Sequence, residues 1–369
     1  MNTNSSRHIQ IQALDTLFFR DGKPFSMGDE TWAEGVFPPP PSVIYGSLRS
    51  AYMAGHLATT TLQKLILNTE SLEIDGIYLT KDENISLPLP LDLFIPGKNV
   101  PAQFMMLLNQ EQQGIKSNAP TTSLLYADTD KKTETTEGKY VTVAEFEKYA
   151  SGRTNNNQFS FFSQKSIRKE ELKIGIARNR DTRTAAEGRL YRISMQRTEN
   201  ENGERLGLAV SFRNLDLAEK GILQLGGERK AVHFKSKSFS IPTCPSISGR
   251  IFKIYLATAA IFPKEEGWNP GEFLKHNGLE LVASSVGKPV HLGGFSIEKG
   301  KVGPKPMRKA VPAGSVYYVH APSDMDIDNF VKNNVHGKSI CPKEFAQQGL
   351  GLAFVANLHP DQLKNFKTK

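Results

Sequence analysis

The chain of 369 residues has few of the features that mark secreted, membrane or zinc-binding proteins. Its two cysteines, Cys244 and Cys341, lie far apart and are each followed by proline, so they form neither a CxxC pair nor a disulfide framework. No run of residues approaches the roughly 18 apolar positions that a membrane helix needs. The first residues, MNTNSSRHIQIQ, lack the apolar core of a secretory signal. We therefore expect a cytoplasmic protein with two ordinary thiols.

Sequence motifs of catalysis are also scarce. The eight histidines form no HExxH or HxH pair, and no GxSxG segment is present. The segment HGKS (336–339) resembles the end of a phosphate-binding loop, but Lys332 stands where that loop requires its first glycine. An RNA-cleaving site needs only general acid–base groups, and His8 and His56 are the candidates for it. We expect a non-catalytic chain without a metal or cofactor.

Positive charge is concentrated in one part of the chain. Residues 161–240 contain 17 Lys or Arg and 10 Asp or Glu, an excess of seven that leaves about one unit of the net +8 for the rest. Between Arg178 and Arg197 there are six arginines and only two acids, Asp181 and Glu187. A local excess of arginine is typical of phosphate contact, although a solvated, ion-paired surface would look the same.

The first half of the chain predicts strands and helices of an α+β fold. Alternating residues at 8–14 predict a strand with one buried face. Four prolines (38–41) precede a helix for which Ser42 is a plausible N-cap. Residues 109–139 are polar and predict an insertion or mobile loop. The segment VTVAEFEKYASG (141–152) predicts a short helix with Thr142 and Glu145 as its capping box, and the basic stretch 161–240 predicts a β-ribbon.

The second half predicts the order strand, helix, strand, strand, helix, strand, which is that of a ferredoxin-like fold. A proline-rich segment at 241–249 marks the boundary before it. Because the first half begins in the same way, we expect two ferredoxin-like (RRM-like) domains with β-ribbon and loop insertions. They would cover residues 1–240 and 241–369.

Three loops are candidates for binding RNA. FFRDGKPF (18–25) places two cations between aromatic rings that can stack bases, unless it is a core hairpin with an exposed turn. The segment 299–309 carries five cations and no acid, unless it is a loop without a partner. Gly349 and Gly351 would let RNA approach main-chain N–H groups, unless they form a packing turn between a helix and a strand.

Several segments together resemble a known family. They are DTLFFRDGKPFSMG, FPPPPSVIYGSLRSAY, LGGERKAV, PKPMRKAVPAGSVYYV and QGLGLAFV, and they run in order from residue 15 to about residue 356. They are similar to the third subunit of the type III-B CRISPR (Cmr) effector complex, a member of the repeat-associated mysterious protein (RAMP) superfamily. The polar segment 109–139 has no counterpart in this resemblance.

The resemblance implies a non-catalytic subunit that binds the 5′ handle of the CRISPR RNA. It also implies contacts with a large palm-domain (polymerase/cyclase-like) subunit and with neighbouring RAMP subunits. The residues expected to face the RNA are Arg20, Lys23, Arg49, Arg178, Arg180, Arg183, Arg189, Arg192, Arg229, Lys305, Arg308 and Lys309, with Gly349 and Gly351 at the backbone. The alternatives are a RAMP endoribonuclease that processes CRISPR repeat RNA, and a scaffold that contacts protein only.

Overall fold

A computed structural model describes residues 5–20, 32–33, 35–116, 120–153, 157–179, 181–263, 265, 267–296 and 302–363. The fold is mixed α/β, and its sheets are mostly antiparallel. The strands are β1 (Arg7–Ala13), β2 (Trp32–Ala33), β3 (Glu73–Lys81), β4 (Asn84–Pro88), β5 (Leu93–Phe94), β6 (Gln103–Phe104), β7 (Met106–Asn109), β8 (Ser123–Tyr126), β9 (Lys139–Thr142), β10 (Phe162–Ser163), β11 (Lys169–Arg178), β12 (Ala185–Arg197), β13 (Leu206–Arg213), β14 (Lys220–Gln224), β15 (Ala231–Ser236), β16 (Ile251–Leu256), β17 (Glu280–Ser285), β18 (Val290–Ser296), β19 (Gly303–Ala310), β20 (Val316–His320), β21 (Lys338–Ser339) and β22 (Leu352–Ala356). The helices are α1 (Pro41–His56), α2 (Leu62–Asn68), α3 (Val143–Ser151), α4 (Gly271–His276), α5 (Ile327–Asn334) and α6 (Lys343–Ala346).

The N-terminal half is built on an eight-stranded sheet with the order β10-β9-β4-β3-β13-β1-β15-β14. The predicted first strand is confirmed as β1, whose Ile9 and Ile11 pack with Ile44 and Leu48 of α1. Gln10 on the opposite face is also buried, which the alternating pattern did not predict. Side chains on successive residues of a strand point to opposite faces, so α1 covers one face of this sheet only.

Two helix starts show which capping predictions hold. Helix α1 begins at Pro41 with Pro40 as its N-cap and no side-chain cap, so the prediction of Ser42 as N-cap is wrong. Proline suits the first helical position because its fixed φ matches the helix and the N–H it lacks would have no partner there. In α3 the predicted cap is confirmed, since the Thr142 side chain accepts a hydrogen bond from the N–H of Glu145. Gly152 ends that helix with a φ of 63°.

The C-terminal half is built on a five-stranded antiparallel sheet with the order β17-β20-β16-β22-β21. Helices α4 and α5 cover one face, where Leu274 and Val331 pack with Ile254 and Val355. Four strands of each large sheet are arranged alike. The order β17-β20-β16-β22 follows the pattern second, third, first, fourth along the chain, and so does β3-β13-β1-β15.

The β-ribbon is shorter than the sequence predicted. Only β11 and β12 form it, and β2 pairs with its second strand. The segment RLGLAVSF is β13, a central strand of the large sheet, because Leu208, Val210 and Phe212 pack on the α1 side while Ala209 faces the C-terminal half. LQLGGERKAVHF forms the hairpin β14–β15 at the edge of the same sheet.

Part of the polar segment 109–139 is ordered against the C-terminal half. Strands β7 and β8 form a hairpin, and Leu125 packs against the core shared by the two halves. The hydroxyl of Thr122 donates to the carbonyl of Val282 at 3.4 Å. The prediction of a mobile loop is therefore wrong for residues 122–126, which complete the edge of the shared core beside β17.

A buried polar network lies where the two halves meet. The ammonium of Lys253 is 3.0 Å from a carboxylate oxygen of Asp92, and both side chains are fully buried. Tyr149 and Tyr318 donate their hydroxyls to the same carboxylate at 2.9 and 2.6 Å. The ammonium also lies 4.3 Å from the ring centre of Phe104 and 4.4 Å from that of Tyr149. Burial lowers the pKa of Lys253, and the carboxylate of Asp92 opposes that shift.

The segment that follows β22 closes this network. The side-chain amide of Gln362 is fully buried and donates to the carbonyl of Met105 at 2.9 Å and to the hydroxyl of Tyr318 at 2.8 Å. The ring of His359 stacks on that of Phe104 with centres 5.2 Å apart. Residues from both halves and from the end of the chain thus share one buried polar cluster.

Candidate nucleic-acid interface

The base of the ribbon is held to the N-terminal half by ion pairs. Arg197 pairs with Glu171 across the ribbon, and its guanidinium lies 3.8 Å from Asp15. Asp15 in turn accepts from the ammonium of Lys230 at 2.6 Å, which lowers the pKa of Asp15. Lys173 donates to Glu228 at 2.5 Å, which raises the pKa of Lys173. Charge at this end of the ribbon is therefore neutralised within the protein.

The arginines predicted to contact RNA lie further along the ribbon. Arg178 ends β11 and Arg189 lies in β12, and only their backbone is described. Arg180 lies outside the described residues. Arg183 is exposed in the turn between the strands with a φ of 58°. Arg192 is exposed on β12, so the ribbon carries its outward charge on this strand and on the turn.

One face of the ribbon is apolar and exposed. Leu172, Ile174 and Ile176 occupy alternate positions of β11, and each is more than half exposed. Arg192 is directly opposite Ile174 in the register of the two strands, so it shares that face. The opposite face holds Ile193 and Met195, which pack on Phe18.

The turn between β14 and β15 presents Arg229 beside the ribbon. Arg229 is exposed and has a φ of 52°, and its neighbour Glu228 bonds to Lys173 of β11. Gly226 has a φ of 80°, and a Cβ there would lie 2.4 Å from the carbonyl oxygen of Phe18. The close backbone approach at Gly226 is therefore made by the protein itself.

The first predicted loop is only partly described. Arg20 is exposed and forms a β-bridge with Gly35, while Lys23 lies outside the described residues. Arg49 is half-buried within α1. It donates to the hydroxyl of Thr69 at 2.9 Å and lies 5.5 Å from the ring centre of Tyr45. These contacts give Arg49 a role in joining α1 to α2, and its contact with RNA stays a prediction.

The second predicted loop is a hairpin. Strands β18 and β19 are paired antiparallel with one shift in register, and Lys305, Arg308 and Lys309 are exposed on β19. The guanidinium of Arg308 lies 5.0 Å from the ring centre of Phe345. The pairing shifts between Leu292 and Gly294, so β19 carries an extra residue between Lys305 and Arg308. Lys305 pairs with Gly294 and Arg308 with Leu292, so these two cations share one face, whereas Lys309 projects from the other. The structure brings these three cations together on a paired β-scaffold.

The structure gives the third predicted loop a packing role. Gly349 is buried with a φ of 85°, and a Cβ there would lie 2.8 Å from a methyl carbon of Ile74. Its N–H donates to the carbonyl of Ala346 at 2.9 Å. Gly351 is also buried with a φ of 73°, and its N–H donates to Ala259. Both N–H groups are thus bonded within the protein, and contact of this loop with RNA stays a prediction.

The two candidate catalytic histidines lie on opposite faces of the N-terminal sheet. His56 stacks on Tyr52 of α1, with ring centres 4.3 Å apart. His8 alternates with the residues that face α1, and its ring packs edge-on against Phe239 at 4.7 Å. Phe239 in turn contacts Tyr78 on the face turned towards the C-terminal half. The structure therefore does not combine these histidines into one site.

A further cationic cluster was not singled out from the sequence. Lys235 and Lys237, at the end of β15, both bond to the carboxylate of Glu83. Their two hydrogen bonds lower the pKa of Glu83 to about 2. Lys220 lies opposite Lys235 on β14. The alternation in VHFKSK could have indicated a face that carries two lysines, but nothing local to that segment indicates Glu83.

Within the ranges given above, no group of three or more His, Cys, Asp or Glu side chains could hold a metal ion. The described helices include none that is long and apolar enough to cross a membrane.

Comparison with known proteins places the chain in a family. The family described as "CRISPR-associated protein (Cas_Cmr3)" matches residues 9–357. No curated protein matches the chain. Among solved structures, a chain of "Cryo-EM structure of the Type III-B Cmr-beta bound to cognate target RNA" is 17% identical over 89% of this chain and 90% of its own, with a TM-score of 0.48. A chain of "Crystal structure of Csm3-Csm4 subcomplex in the type III-A CRISPR-Cas interference complex" is 12% identical over 85% of this chain and 97% of its own, with a TM-score of 0.35.

The family match spans almost all of the sequence, including every segment on which the resemblance was based. The resemblance to the third subunit of the type III-B effector is thereby confirmed. The chain belongs to the Cas_Cmr3 family of CRISPR-associated proteins.

Proposed function

We propose that this Cmr subunit is a non-catalytic, RNA-binding component of the type III-B effector in the cytoplasm, and that it holds the 5′ handle of the CRISPR RNA. The observation that carries the proposal is the basic hairpin β18–β19, where Lys305, Arg308 and Lys309 are exposed on one short strand. Exposed cations on a paired scaffold are suited to phosphate contact, because the strand pairing fixes their spacing while their charges stay in water.

The ribbon supports the same proposal from the other half of the chain. Its base is neutralised by ion pairs, whereas Arg192 is exposed beside three aliphatic side chains. Cations at the ribbon would bind phosphates, and the aliphatic face would contact bases or a neighbouring subunit. Docking of the large palm-domain subunit and of adjacent RAMP subunits is part of the proposal.

The shared strand order of the two large sheets supports a proposal about the fold as well. In both, four antiparallel strands follow the ferredoxin-like order, and the C-terminal set also has its two helices in the expected places. The N-terminal set has α1 after its first strand but β14 where a second helix would stand. We propose that the chain contains two ferredoxin-like domains, of which the first has lost one helix.

The salt dependence of RNA binding tests the RNA assignment. The full chain would be titrated onto labelled RNA that contains the repeat-derived handle, over a series of salt concentrations. Each phosphate contact contributes about −0.7 to the log–log slope for single strands, so Arg308→Ala with Lys309→Ala should reduce the slope by about 1.4 and weaken binding. A matched pair, Lys275→Ala with Lys332→Ala, removes the same charge from exposed helical positions of the same half.

Three results would count against the proposal. An unchanged affinity and slope in the Arg308 and Lys309 variant, at unchanged melting temperature, removes the hairpin from the RNA site. Metal-independent cleavage of the RNA that is lost in His8→Ala or His56→Ala would instead support the RAMP endoribonuclease. No RNA binding, either by the chain or by a subcomplex that contains it, would favour the protein-only scaffold.

A further inference from the structure

The open part of the N-terminal sheet has a composition that suits nucleic acid. Three strands, β1, β15 and β14, carry outward residues on the sheet face opposite α1. These residues lie side by side in rows. Gln12, His233 and Ile222 form one row, and Gln10, Lys235 and Lys220 form the next. Ile222 is 65% exposed, and Lys220 and Lys237 are exposed as well.

The turn between β3 and β4 brings one acid onto this face. Asp82 and Glu83 both have positive φ values, 49° and 68°, which side chains other than glycine adopt at a cost. The turn is fixed at both residues. The carboxylate of Asp82 accepts from the N–H of Arg205 at 2.9 Å, and the carbonyl of Glu83 accepts from Gln10 at 2.7 Å. A strained but well-anchored turn thus keeps the Glu83 carboxylate between two lysines.

The charge of this face points to a polyanion. Among the described residues, Glu83 is the one acid bonded to the set of Lys220, Lys235 and Lys237, and its lowered pKa keeps it ionised at any ordinary pH. Each ammonium has three donors, and the bond to Glu83 uses one of them on Lys235 and on Lys237. The remaining N–H groups can donate to phosphate oxygens.

The same composition does not suit a protein partner. Cores of protein interfaces are depleted of lysine and enriched in aromatic residues and methionine. Here lysines predominate, and Ile222 is the one strongly exposed aliphatic side chain in these rows. Lysine binds phosphate as a point charge, without the fixed geometry of arginine, and this suits a contact that positions a strand without reading its sequence.

We propose that this face of β1, β15 and β14 is a second contact surface for single-stranded RNA. Lys220, Lys235 and Lys237 bind phosphates there. Glu83 competes with the phosphates for two of the three lysines, and so limits the affinity of the surface. The inference rests on the proposed function, because it assigns a further stretch of the bound RNA to a surface distinct from the hairpin β18–β19.

Opposite charge changes on this face test the inference. The full chain would be titrated onto labelled handle RNA and onto labelled single-stranded oligouridine over a salt series. Lys220→Gln with Lys237→Gln should reduce the log–log slope by about 1.4 for both RNAs. Glu83→Gln should tighten binding about threefold, because it removes a competing exposed ion pair. Lys275→Gln with Lys332→Gln is the matched control and should leave both quantities unchanged.

The outcomes separate this inference from the proposed function. If the unaltered chain binds neither RNA, the proposed function and this inference both fail. If the unaltered chain binds RNA and the Lys220 and Lys237 variant keeps the same salt slope, this inference alone fails. If binding is then lost only in Arg308→Ala with Lys309→Ala, the hairpin β18–β19 is left as the RNA site. If Glu83→Gln weakens binding at an unchanged melting temperature, competition by Glu83 is wrong. The double lysine variant changes only exposed side chains, so it tests the surface even if Glu83→Gln does not fold.

Discussion

The buried pair of Asp92 and Lys253 allows a sharp prediction about how the two halves are held together. Asp92→Asn removes the counter-charge 3.0 Å from an ammonium that is fully buried. Leaving one charge of a buried pair uncompensated costs about 3–5 kcal/mol. At about 2.1 cal/mol/K per residue, 369 residues give an unfolding entropy of about 0.8 kcal/mol/K. A loss of about 4 kcal/mol should therefore lower the melting temperature by about 5 °C.

The pH dependence identifies the cause of that loss. Burial lowers the pKa of Lys253 in the folded chain, and Asp92 raises it again, so Asp92→Asn should lower it further. A lysine with a depressed folded pKa releases its proton on folding, so stability rises with pH between the folded pKa and about 10.4, the ordinary unfolded value. The deficit of Asp92→Asn should thus be largest near neutral pH and should shrink as the pH approaches 10.

A double-mutant cycle measured by thermal and urea unfolding completes the test. Lys253→Met should also destabilise the chain, whereas the double variant Asp92→Asn with Lys253→Met should lose clearly less than the sum of the two, with a coupling of about 3 kcal/mol. If the two losses simply add, or if the deficit of Asp92→Asn is the same at pH 7 and pH 10, the pair is not an interacting ion pair and the reasoning fails.

Three further variants separate packing roles from RNA contact. Gly349→Ala should lower the free energy of unfolding by about 2–4 kcal/mol, because it strains a residue with a φ of 85° and crowds Ile74. The salt slope of RNA binding should stay the same, and a changed slope at constant stability would contradict the packing role. Arg49→Gln should lower the melting temperature slightly through the lost bond to Thr69, and a reduced salt slope would show that Arg49 contacts RNA after all. Thr142→Ala should cost about 1 kcal/mol by removing the N-cap of α3, whereas Thr142→Ser should restore most of it. Thermal unfolding and the salt series described above measure all three.

The features that the sequence predicts correctly are those set by contacts between neighbouring residues. The cap at Thr142 was predictable because the pattern Thr-x-x-Glu specifies contacts within one turn. The ribbon was predictable in kind but not in length. Strand β13 has the same alternating pattern as β12. What makes β13 a central strand is that Leu208 packs in the core on the α1 side while Ala209 packs in the core on the opposite side. Their packing partners are far away in sequence, so periodicity cannot reveal them.

The candidate RNA site also depends on contacts between residues that are distant in sequence, and these contacts change how local charge is interpreted. The excess of cations at 161–240 is typical of phosphate contact, yet the structure neutralises part of that charge with acids that are distant in sequence. Asp15 binds Lys230, and Glu83 binds Lys235 and Lys237. Since the acid neutralises part of the charge and competes with phosphate for the donors of a paired cation, local charge counts overstate the sites available to RNA. The exposed cations of β19 form no ion pair with another described residue, and they therefore carry more of the argument for RNA binding than the more numerous charges at the base of the ribbon.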